Sequence, residues 1–430
     1  MLKKKHPQAE LDFYAPTPRD ALPSPKRTGA KTAARKQIPW EGNYAAFSTE
    51  FAIAAANRLA VDSKTKLFDP FVGSGTSLEA ACTVGIPCCG IELNPFSALL
   101  ARSRVAFGAD QGKVNRLLSS AARYSLSGST TTSPAEWLAK KLCAQLGCEW
   151  HQLIRSLCSV TVPQLETEIV ALVCALHTRY LSNHHFRSNP AWLIPGESPD
   201  RPTDAEVPWL ENALLTSSIV FDDFYARDTG QSREIEVIPC DFREARIRRS
   251  SIKRFLTSPP YLNRLDYINP SVPALSVLGE RTTDQIEELR TRMMGTTKMR
   301  PSLADSRFTA SETTLHFLRQ VSQHQSKASG TYYLKFFSQY FSDLCDFIQW
   351  LHEHAAKSVE GLVVLQNSYY KEITIPLVEI VQELSKPHGF AVKVIREDSS
   401  TRHMGALSPH QQSYAPDKKL TEFVLSFTRG

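Results

Sequence analysis

A glycine-containing turn between a strand-like stretch and a helix-like stretch constrains the fold of this chain most strongly. The stretch KTKLFDPF predicts a strand that ends at Asp69, and SLEAACTVG predicts a helix that stops at Gly85. The next stretch, PCCGIELN, predicts a second strand closed by Glu92. Strand, glycine turn, helix and a strand with a terminal acid form half of a doubly wound nucleotide-binding sheet. The sequence therefore predicts an α/β fold with this turn at its ligand-binding edge.

The alternation of strands and helices returns in the second half of the chain. Two short apolar stretches, 234–242 and 254–261, predict strands that end in polar residues, where ligands gather in such sheets. From position 333 onward the pattern predicts a long helix, a strand, a helix and a closing β-hairpin whose loop covers 398–418. These elements complete the sheet that the first half begins.

Two insertions and an arm lie outside this α/β pattern. Residues 110–232 contain long amphipathic stretches, which predict a helical insertion. A second insertion, 270–330, is polar, partly basic and has little predicted core. Residues 1–38 have no hydrophobic period and predict a flexible basic arm. The α/β domain is therefore predicted to be discontinuous, formed by 39–109 and 233–430.

Composition narrows the class of protein. The chain has 430 residues, 42% of them hydrophobic, which fits one large domain with insertions or two domains. No apolar run approaches the roughly 20 residues of a membrane span, and the N-terminus lacks the apolar stretch of a signal peptide, so we expect a soluble, cytoplasmic protein.

The cysteines and histidines indicate neither disulfides nor a metal site. Nine cysteines without a CxxC pair predict neither disulfides nor a zinc ribbon. Adjacent His184 and His185 point apart on any element, so no metal site is predicted.

The positive charge is concentrated at the N-terminus. The net charge is +6, and the first 36 residues carry nine basic and three acidic side chains, so the rest of the chain is neutral overall. A basic arm of this kind either contacts phosphates or is a solvated tail that aids solubility. The charge alone favours neither interpretation.

The second constraining motif is TSPPY at 257–261. Pro259 and Pro260 fix their φ angles near −65°, which holds the neighbouring polar atoms in place. The Ser258 hydroxyl and the carbonyl of Pro259 can then accept hydrogen bonds from an amine on an aromatic ring, and Tyr261 can stack on that ring. The motif predicts a clamp for an aromatic amine, and its candidate catalytic residues are Ser258, Pro259, Pro260 and Tyr261.

The glycine turn predicts a cofactor site. Gly73 and Gly75 allow a ligand to approach bare backbone, Glu92 can accept from both ribose hydroxyls, and Asp241 can accept from an adenine amino group. A triphosphate is disfavoured because GxxxxGK[ST] is absent, so a cofactor with adenosine and a methionine tail fits better. The candidate cofactor-binding residues are Asp69, Phe71, Gly73, Ser74, Gly75, Thr76, Glu92, Asn94, Asp241 and Phe242.

With both motifs, the chain resembles the amino-methyltransferases of DNA, and SPPY is most typical of their N4-cytosine branch. The cofactor motif precedes the catalytic motif, unlike the permuted order common in that branch. The resemblance excludes the arm and both insertions. Five stretches match in order: YAAFSTEFA at 44–52, DPFVGSGT at 69–76, GIELNP at 90–95, CDFREA at 240–245 and TSPPYLNRLDY at 257–267.

The resemblance implies a fold and an activity. The fold would be a Rossmann-like seven-stranded methyltransferase sheet with helical insertions. The activity would be methyl transfer from S-adenosylmethionine to the N4 amine of cytosine in double-stranded DNA, by base flipping and direct in-line transfer. A restriction-modification or related bacterial system would be the setting, with a separately acting restriction endonuclease as a candidate partner and the protein associated with the nucleoid. The insertion at 110–232 is the candidate for target recognition.

Four sets of basic residues are expected to contact DNA. They are Arg264 beside the clamp, the basic residues of 290–300, the arm, and Arg248, Arg249 and Lys253 in RIRRSSIKR.

Three alternatives to an N4-cytosine DNA methyltransferase remain: an N6-adenine DNA methyltransferase, an RNA base-amine methyltransferase, and a methyltransferase-like protein that binds nucleic acid without catalysis. Methylation at cytosine carbon 5 is disfavoured because the clamp has no cysteine and the cysteines before Glu92 and Asp241 are interpreted as core thiols.

Overall fold

A computed structural model gives the fold. It describes residues 22–25, 47–121, 165–183, 209–227, 234–278, 283–300, 307–400 and 420–429. Most of the basic arm, the amphipathic stretch 134–160, the two adjacent histidines and most of the long hairpin loop lie outside the described residues.

One mixed sheet of seven strands organises the described chain. The described strands are β1 (Leu67–Asp69), β2 (Cys88–Ile91), β3 (Ile235–Ile238), β4 (Ile252–Thr257), β5 (Ala355–Gln366), β6 (Ser368–Tyr370), β7 (Ile373–Ile375), β8 (Phe390–Ser400) and β9 (Leu420–Arg429).

The order of the strands identifies the sheet. It is β3-β2-β1-β4-β5-β9-β8; the first five strands are parallel, and β9 is antiparallel to both β5 and β8. A separate two-stranded hairpin, β6 with β7, follows β5. The order confirms the predicted Rossmann-like seven-stranded methyltransferase sheet.

Helices cover both faces of the sheet and form the described part of the helical insertion. A π-helical turn, Ser329–Tyr333, leads into the longest described helix. The α-helices are α1 (Thr49–Leu59), α2 (Thr76–Val84), α3 (Pro95–Arg104), α4 (Gln111–Ala121), α5 (Leu165–Asn183), α6 (Trp209–Arg227), α7 (Val272–Leu278), α8 (Thr283–Arg292), α9 (Glu312–Gln323), α10 (Leu334–His354) and α11 (Leu377–Ser385).

Local sequence sets the boundaries of the helices around the turn. The Ser48 hydroxyl accepts from the backbone N–H of Phe51 and caps α1. Helix α2 ends at Gly85, whose φ of 81° is the left-handed conformation that stops a helix. The Asn94 side chain accepts from the N–H of Phe96 and caps α3. Each boundary therefore has a residue whose chemistry explains it.

The sheet is buried on both faces because its strands alternate apolar residues between two cores. Phe255 of β4 lies in the core under α9, α10 and α11, while its neighbour Leu256 lies in the core under α1 and α2. On β5, Val363 and Val364 divide in the same way. Burial on both faces is typical of a parallel sheet flanked by helices.

A third core joins the helical insertion to the second insertion. Val170 of α5 and Phe221 of α6 are buried with Leu275 of α7, Ile286 of α8 and the nearby Met293. The expectation that 270–330 has little core is wrong for its described residues. The reason is that Ile286, Leu289 and Met293 follow a helical period among many charged neighbours, so the segment is polar in composition but amphipathic in structure.

None of the described helices combines the length and the apolar composition of a membrane span.

Gly361 tests how tightly the sheet is packed. A Cβ at this position of β5 would lie 2.1 Å from the ring of buried Phe255. We expect Gly361→Ala to lower the free energy of unfolding by about 3 kcal/mol, because overpacking forces the ring or the strand to move. Urea denaturation measures the change, with Gly108→Ala as the control, since a Cβ there meets nothing closer than 3.9 Å. Equal stability of the two variants would contradict the packing described.

Candidate active site

Four neighbouring strands end at one edge of the sheet, and each carries a polar residue there. Asp69 ends β1, Glu92 follows β2, Asp241 follows β3 and Ser258 follows β4. Because these strands are parallel and adjacent, their carboxyl ends share one edge. The glycine turn and the clamp, 188 residues apart at Asp69 and Thr257, are thereby brought side by side.

Asp69 links the glycine turn to the clamp. Its Oδ1 accepts from the N–H of Phe71 at 3.0 Å and from the hydroxyl of Thr257 at 2.6 Å, and its Oδ2 accepts from the hydroxyl of Ser77 at 2.5 Å. Burial raises the pKa of Asp69 to about 6, against the lowering effect of these donors. The carboxylate predicted to bind cofactor is therefore used inside the protein, where it fixes the turn, α2 and the residue before Ser258.

The turn has the backbone conformation that the glycines predict. Gly73 and Gly75 have φ angles of 54° and 86°, in the left-handed region that favours glycine. A Cβ on Gly75 would come within 2.9 Å of the Ala101 backbone, whereas a Cβ on Gly73 would meet nothing closer than the Phe71 carbonyl at 4.0 Å. Gly75 therefore packs against α3, and Gly73 faces open space that a ligand can fill.

A buried ion pair supports the turn from behind, and sequence reasoning missed it. Arg104 of α3 donates from Nε to Glu79 of α2 at 2.7 Å and from Nη1 to the Thr76 hydroxyl at 3.0 Å and the Ser74 carbonyl at 3.3 Å. Both residues are at most 5% exposed. The available signal was Glu79 alone in one apolar helical stretch and two arginines, Arg102 and Arg104, in the next, since such charges are seldom buried unless paired.

Glu92 holds the turn from the neighbouring strand. Its Oε2 accepts from the N–H of Gly73 at 2.9 Å and its Oε1 from the N–H of Asn94 at 2.8 Å. Burial raises the pKa of Glu92 to about 7, despite these two donors. Each carboxylate oxygen keeps further acceptor capacity, so Glu92 can also take the two hydroxyls of a ribose, as its position predicts.

The residues present fit a cofactor of the adenosine-methionine type. The hydroxyl of Ser74, in the middle of the turn, is buried and has no hydrogen-bond partner among the described residues. A buried polar atom of this kind calls for a ligand partner. Ser74 follows Gly73 directly, on the same turn that Glu92 contacts. We therefore assign the cofactor-holding side of the site to Gly73, Ser74 and Glu92.

Several predicted cofactor residues use their side chains inside the protein. The Thr76 hydroxyl accepts from Arg104, and the Asn94 amide donates to Ser271 while its carbonyl caps α3. Phe242 is 4% exposed and packs edge to face against Phe71 at 5.2 Å between ring centroids. These residues shape the site as supports, and their direct contact with a cofactor stays a prediction.

Asp241 is held in a network of ion pairs. Its carboxylate accepts from the N–H of Arg243 at 3.0 Å and from the Arg243 guanidinium at 2.9 Å, and Arg292 lies 3.6 Å away. The Arg243 guanidinium also pairs with Asp343 of α10 at 2.8 Å, and Asp343 accepts from Arg300 at 2.6 Å. The structure thus surrounds the predicted adenine acceptor with arginines, which sequence reasoning did not anticipate. Adenine binding by Asp241 stays a prediction.

The clamp is braced from three sides. The Ser258 hydroxyl donates to the Val364 carbonyl of β5 at 3.2 Å, and the Tyr340 hydroxyl donates to the Pro260 carbonyl at 3.1 Å. The Tyr261 hydroxyl donates to Glu422 of β9 at 3.4 Å. Burial raises the pKa of Tyr261 well above its usual value, so the phenol stays neutral. Within the clamp, Pro259 is buried.

The described cysteines fit the interpretation of core thiols. Cys88 and Cys89 are buried in β2, and burial raises the pKa of Cys89 to about 12. Cys240 is partly buried, and burial also raises its pKa. Thiols of this kind are poor nucleophiles, because the thiolate is the reactive form.

Only one of the four predicted nucleic-acid contacts lies beside the clamp. Arg264 is exposed, three residues after Tyr261. Arg248, Arg249 and Lys253 are also exposed, but they lie at the amino end of β4, the edge opposite the clamp, and Arg249 pairs with Glu353 at 3.1 Å. Strand β4 separates them from the clamp by five residues' rise, about 17 Å. Contact between these three residues and DNA stays a prediction, and it would have to occur away from the clamp.

The basic residues of 290–300 are neutralised by carboxylates. Each pairs at 2.6 Å: Arg290 with Asp266, Arg292 with Glu244, Lys298 with Glu287, and Arg300 with Asp343. These pairs hold α8 and the following loop against the sheet edge. They do not favour the predicted role of this segment in DNA contact.

Comparisons with solved structures find likenesses of low score, two of which are described here. No protein-family model matches the chain, and no curated protein matches it. Two solved structures of rRNA methyltransferase aviRa from Streptomyces viridochromogenes, at 1.5 Å and 2.4 Å, align with TM-scores of 0.30 and with 12% and 11% sequence identity. The alignments cover 93% of this chain and 94% and 93% of those chains. Likeness at this score carries no argument about activity, so the fold assignment depends on the sheet order itself.

Glu92 predicts a pH dependence of cofactor binding. The ionised carboxylate is the stronger acceptor, and with a pKa of about 7 its ionised fraction grows between pH 6 and 8, so affinity for S-adenosylmethionine should rise over this range. Glu92→Gln should bind about tenfold or more weakly at pH 8 and lose the pH dependence. Isothermal titration calorimetry measures both, with exposed Glu397→Gln on β8 as the control. An unchanged pH profile in Glu92→Gln would contradict this role.

Proposed function

We propose that this protein is an S-adenosylmethionine-dependent methyltransferase that methylates the exocyclic N4 amine of cytosine in DNA. The observation that carries the proposal is the juxtaposition of the glycine turn and the Ser-Pro-Pro-Tyr clamp at neighbouring strand ends, joined through Asp69 and Thr257. A cofactor held by the turn and an amine held by the clamp would then face each other across this edge of the sheet. Proximity and orientation supply much of the acceleration in such a transfer.

The cofactor side depends on Ser74, Gly73 and Glu92. Bound there, S-adenosylmethionine would supply an activated methyl group. The described residues contribute orientation: Glu92 for the ribose, the Ser74 hydroxyl for a polar group near the turn, and the bare backbone of Gly73 for close approach. The ion pair between Arg104 and Glu79 keeps the turn in this conformation.

The clamp side explains how a weakly nucleophilic amine would be activated. The Ser258 hydroxyl donates to the Val364 carbonyl and is also hydrogen-bonded to the Tyr261 side chain, so its Oγ keeps a lone pair that can accept from an amine N–H. Accepting that hydrogen bond draws the nitrogen lone pair out of conjugation with the ring. The braced carbonyl of Pro260 and the buried Pro259 keep Ser258 in place without a loss of entropy at the moment of reaction. The proton released on methylation passes to solvent.

The choice of cytosine depends on Ser258. The SPPY motif that the chain resembles is typical of N4-cytosine enzymes, and serine in place of aspartate favours cytosine over adenine. Methylation of adenine N6, or of a base amine in RNA, would use the same turn and a similar clamp, so each is an outcome of the experiment below. A non-catalytic role is disfavoured because both motifs are intact.

The proposed setting is a bacterial DNA-modification system. An amine inside a duplex is out of reach, so the target base would flip out into the clamp. Double-stranded DNA is the proposed partner, with the helical insertion at 110–232 as the element that reads the target. A restriction endonuclease would act separately, and the protein would work in the cytoplasm at the nucleoid.

Transfer of labelled methyl from S-adenosylmethionine to unmethylated plasmid DNA tests the proposal. We expect N4-methylcytosine on nucleoside analysis of the product. Ser258→Ala should lower the rate by at least about 100-fold, because it removes a preorganised acceptor at the reacting nitrogen. Ser251→Ala is the matched control, since Ser251 is exposed at the amino end of the same strand.

Each other result changes a different part of the proposal. N6-methyladenine would retain the mechanism and replace the base. Label in bulk RNA but not in DNA would replace the substrate. Equal rates in Ser258→Ala and Ser251→Ala would remove the role of the clamp, and absence of label from all nucleic acids would overturn the proposed function.

A further inference from the structure

We infer that a surface of tyrosines and one arginine beside the clamp binds the unpaired nucleotides that flank the target base. The surface, here called the tyrosine platform, consists of Arg264, Tyr332 and Tyr333, and the buried Tyr370 supports Tyr333 from below. This inference rests on the proposed function, because it takes the clamp as the site of a nucleic-acid base. It assigns a role to residues outside both motifs.

Arg264 is the basic residue of the platform and differs from the other arginines of this region. Its Nη1 donates to the Tyr333 hydroxyl at 2.8 Å, and its guanidinium lies 4.9 Å from the Tyr333 ring centroid and 5.4 Å from that of Tyr332. Among the described residues no carboxylate forms an ion pair with Arg264, whereas Arg290 and Arg292 are both paired. Arg264 therefore presents a positive charge that no described carboxylate pairs and that two rings already orient, which suits a phosphate.

The backbone of the platform is held in unusual conformations. Arg264 has a φ of 59°, in the left-handed region that costs a non-glycine residue free energy. Tyr332 and Tyr333 lie in the π-helical turn that begins at Ser329. Both features are frequent at functional sites, because the surrounding structure must maintain them.

Neighbouring contacts make the platform rigid. The Tyr333 ring packs against Tyr370 of β6 with 4.8 Å between centroids, and the Ser329 hydroxyl is hydrogen-bonded to the Tyr370 hydroxyl. His324, before the turn, contacts Glu372 at 2.9 Å. Rings held in this way lose little entropy on binding, so they suit stacking with bases.

The platform lies within one nucleotide or two of the clamp. Tyr333 immediately precedes α10, and Tyr340, seven residues later, donates to the Pro260 carbonyl of the clamp. Seven residues of helix span about 10 Å. Arg264 also follows Tyr261 by three residues. A strand with its target base in the clamp would therefore place a neighbouring phosphate and base at the platform.

Salt-dependent binding tests the role of Arg264. Fluorescence anisotropy would follow a fluorescein-labelled single-stranded DNA, its duplex and the matching RNA strand, without S-adenosylmethionine. We expect Arg264→Gln to bind single-stranded DNA about fivefold more weakly and to reduce the slope of log affinity against log salt by about 0.7, the change for one lost phosphate contact. Lys357→Gln is the control, because it removes the same charge from an exposed position near the amino end of β5 and should leave the slope unchanged.

Stacking is tested at Tyr332. Tyr332→Leu should weaken single-strand binding about tenfold, since loss of one stacking ring has an effect of this size, and Tyr332→Phe should bind like the parent protein. Thermal melting of both variants checks that the fold is retained. A larger effect on the RNA strand than on DNA would identify RNA as the bound strand and retain the platform.

Failure of this inference and failure of the proposed function are distinguishable. Wild-type affinity and salt slope in Arg264→Gln, with wild-type affinity in Tyr332→Leu, would overturn the platform even if methyl transfer occurs. The expected losses in binding, in a protein that transfers no methyl group to any nucleic acid, would support the platform and overturn the activity.

Discussion

A single buried carboxylate, that of Asp69, is the contact on which the geometry of the site depends. It is hydrogen-bonded to the backbone of the glycine turn, to the first turn of α2 and to the last residue of β4. These groups come from distant parts of the sequence, and each satisfies part of the acceptor capacity of one side chain that is only 2% exposed. A buried carboxylate is costly unless its oxygens are hydrogen-bonded, so the three donors and the carboxylate require one another. The distance between turn and clamp is therefore fixed by the fold.

The surrounding charges stabilise this edge in a second layer. Glu79 and Arg104 hold the turn from the α2 and α3 side, while Asp343 and Arg243 hold the end of β3 from α10. Such pairs define geometry more than they add stability, because desolvation offsets much of their attraction. With both faces of the sheet covered by helices, the carboxyl edge is where polar groups meet. The site is thus a consequence of how the core is buried.

The sequence predicted what depends on local pattern. Strand, turn and helix around Gly73 and Gly75 were predicted because positive φ angles and caps have specific residue preferences, and the seven-stranded sheet followed from the family that the motifs resemble. The place of a charged stretch on the sheet depends on long-range geometry, which local pattern does not supply. The stretch containing Arg248 is basic in sequence, but its place at the amino end of β4 depends on the direction of the strand.

Partners of side chains were the part of the site that sequence could not supply. Asn94 was predicted to contact a ligand, yet its amide bonds to Ser271, 177 residues away. The bracing of Pro260 by Tyr340 and of Ser258 by Val364 likewise joins residues that no spacing relates. The apolar period of Ile286 and Leu289 was present in the sequence but was obscured by the charges around it.

A crystal structure of the protein with S-adenosylhomocysteine would show whether the turn and the clamp form one site. We expect the ribose hydroxyls within hydrogen-bond distance of the Glu92 carboxylate, a polar group of the ligand on the Ser74 hydroxyl, and the sulfur facing Ser258. A ligand bound elsewhere, or one whose sulfur faces away from Ser258, would contradict this expectation.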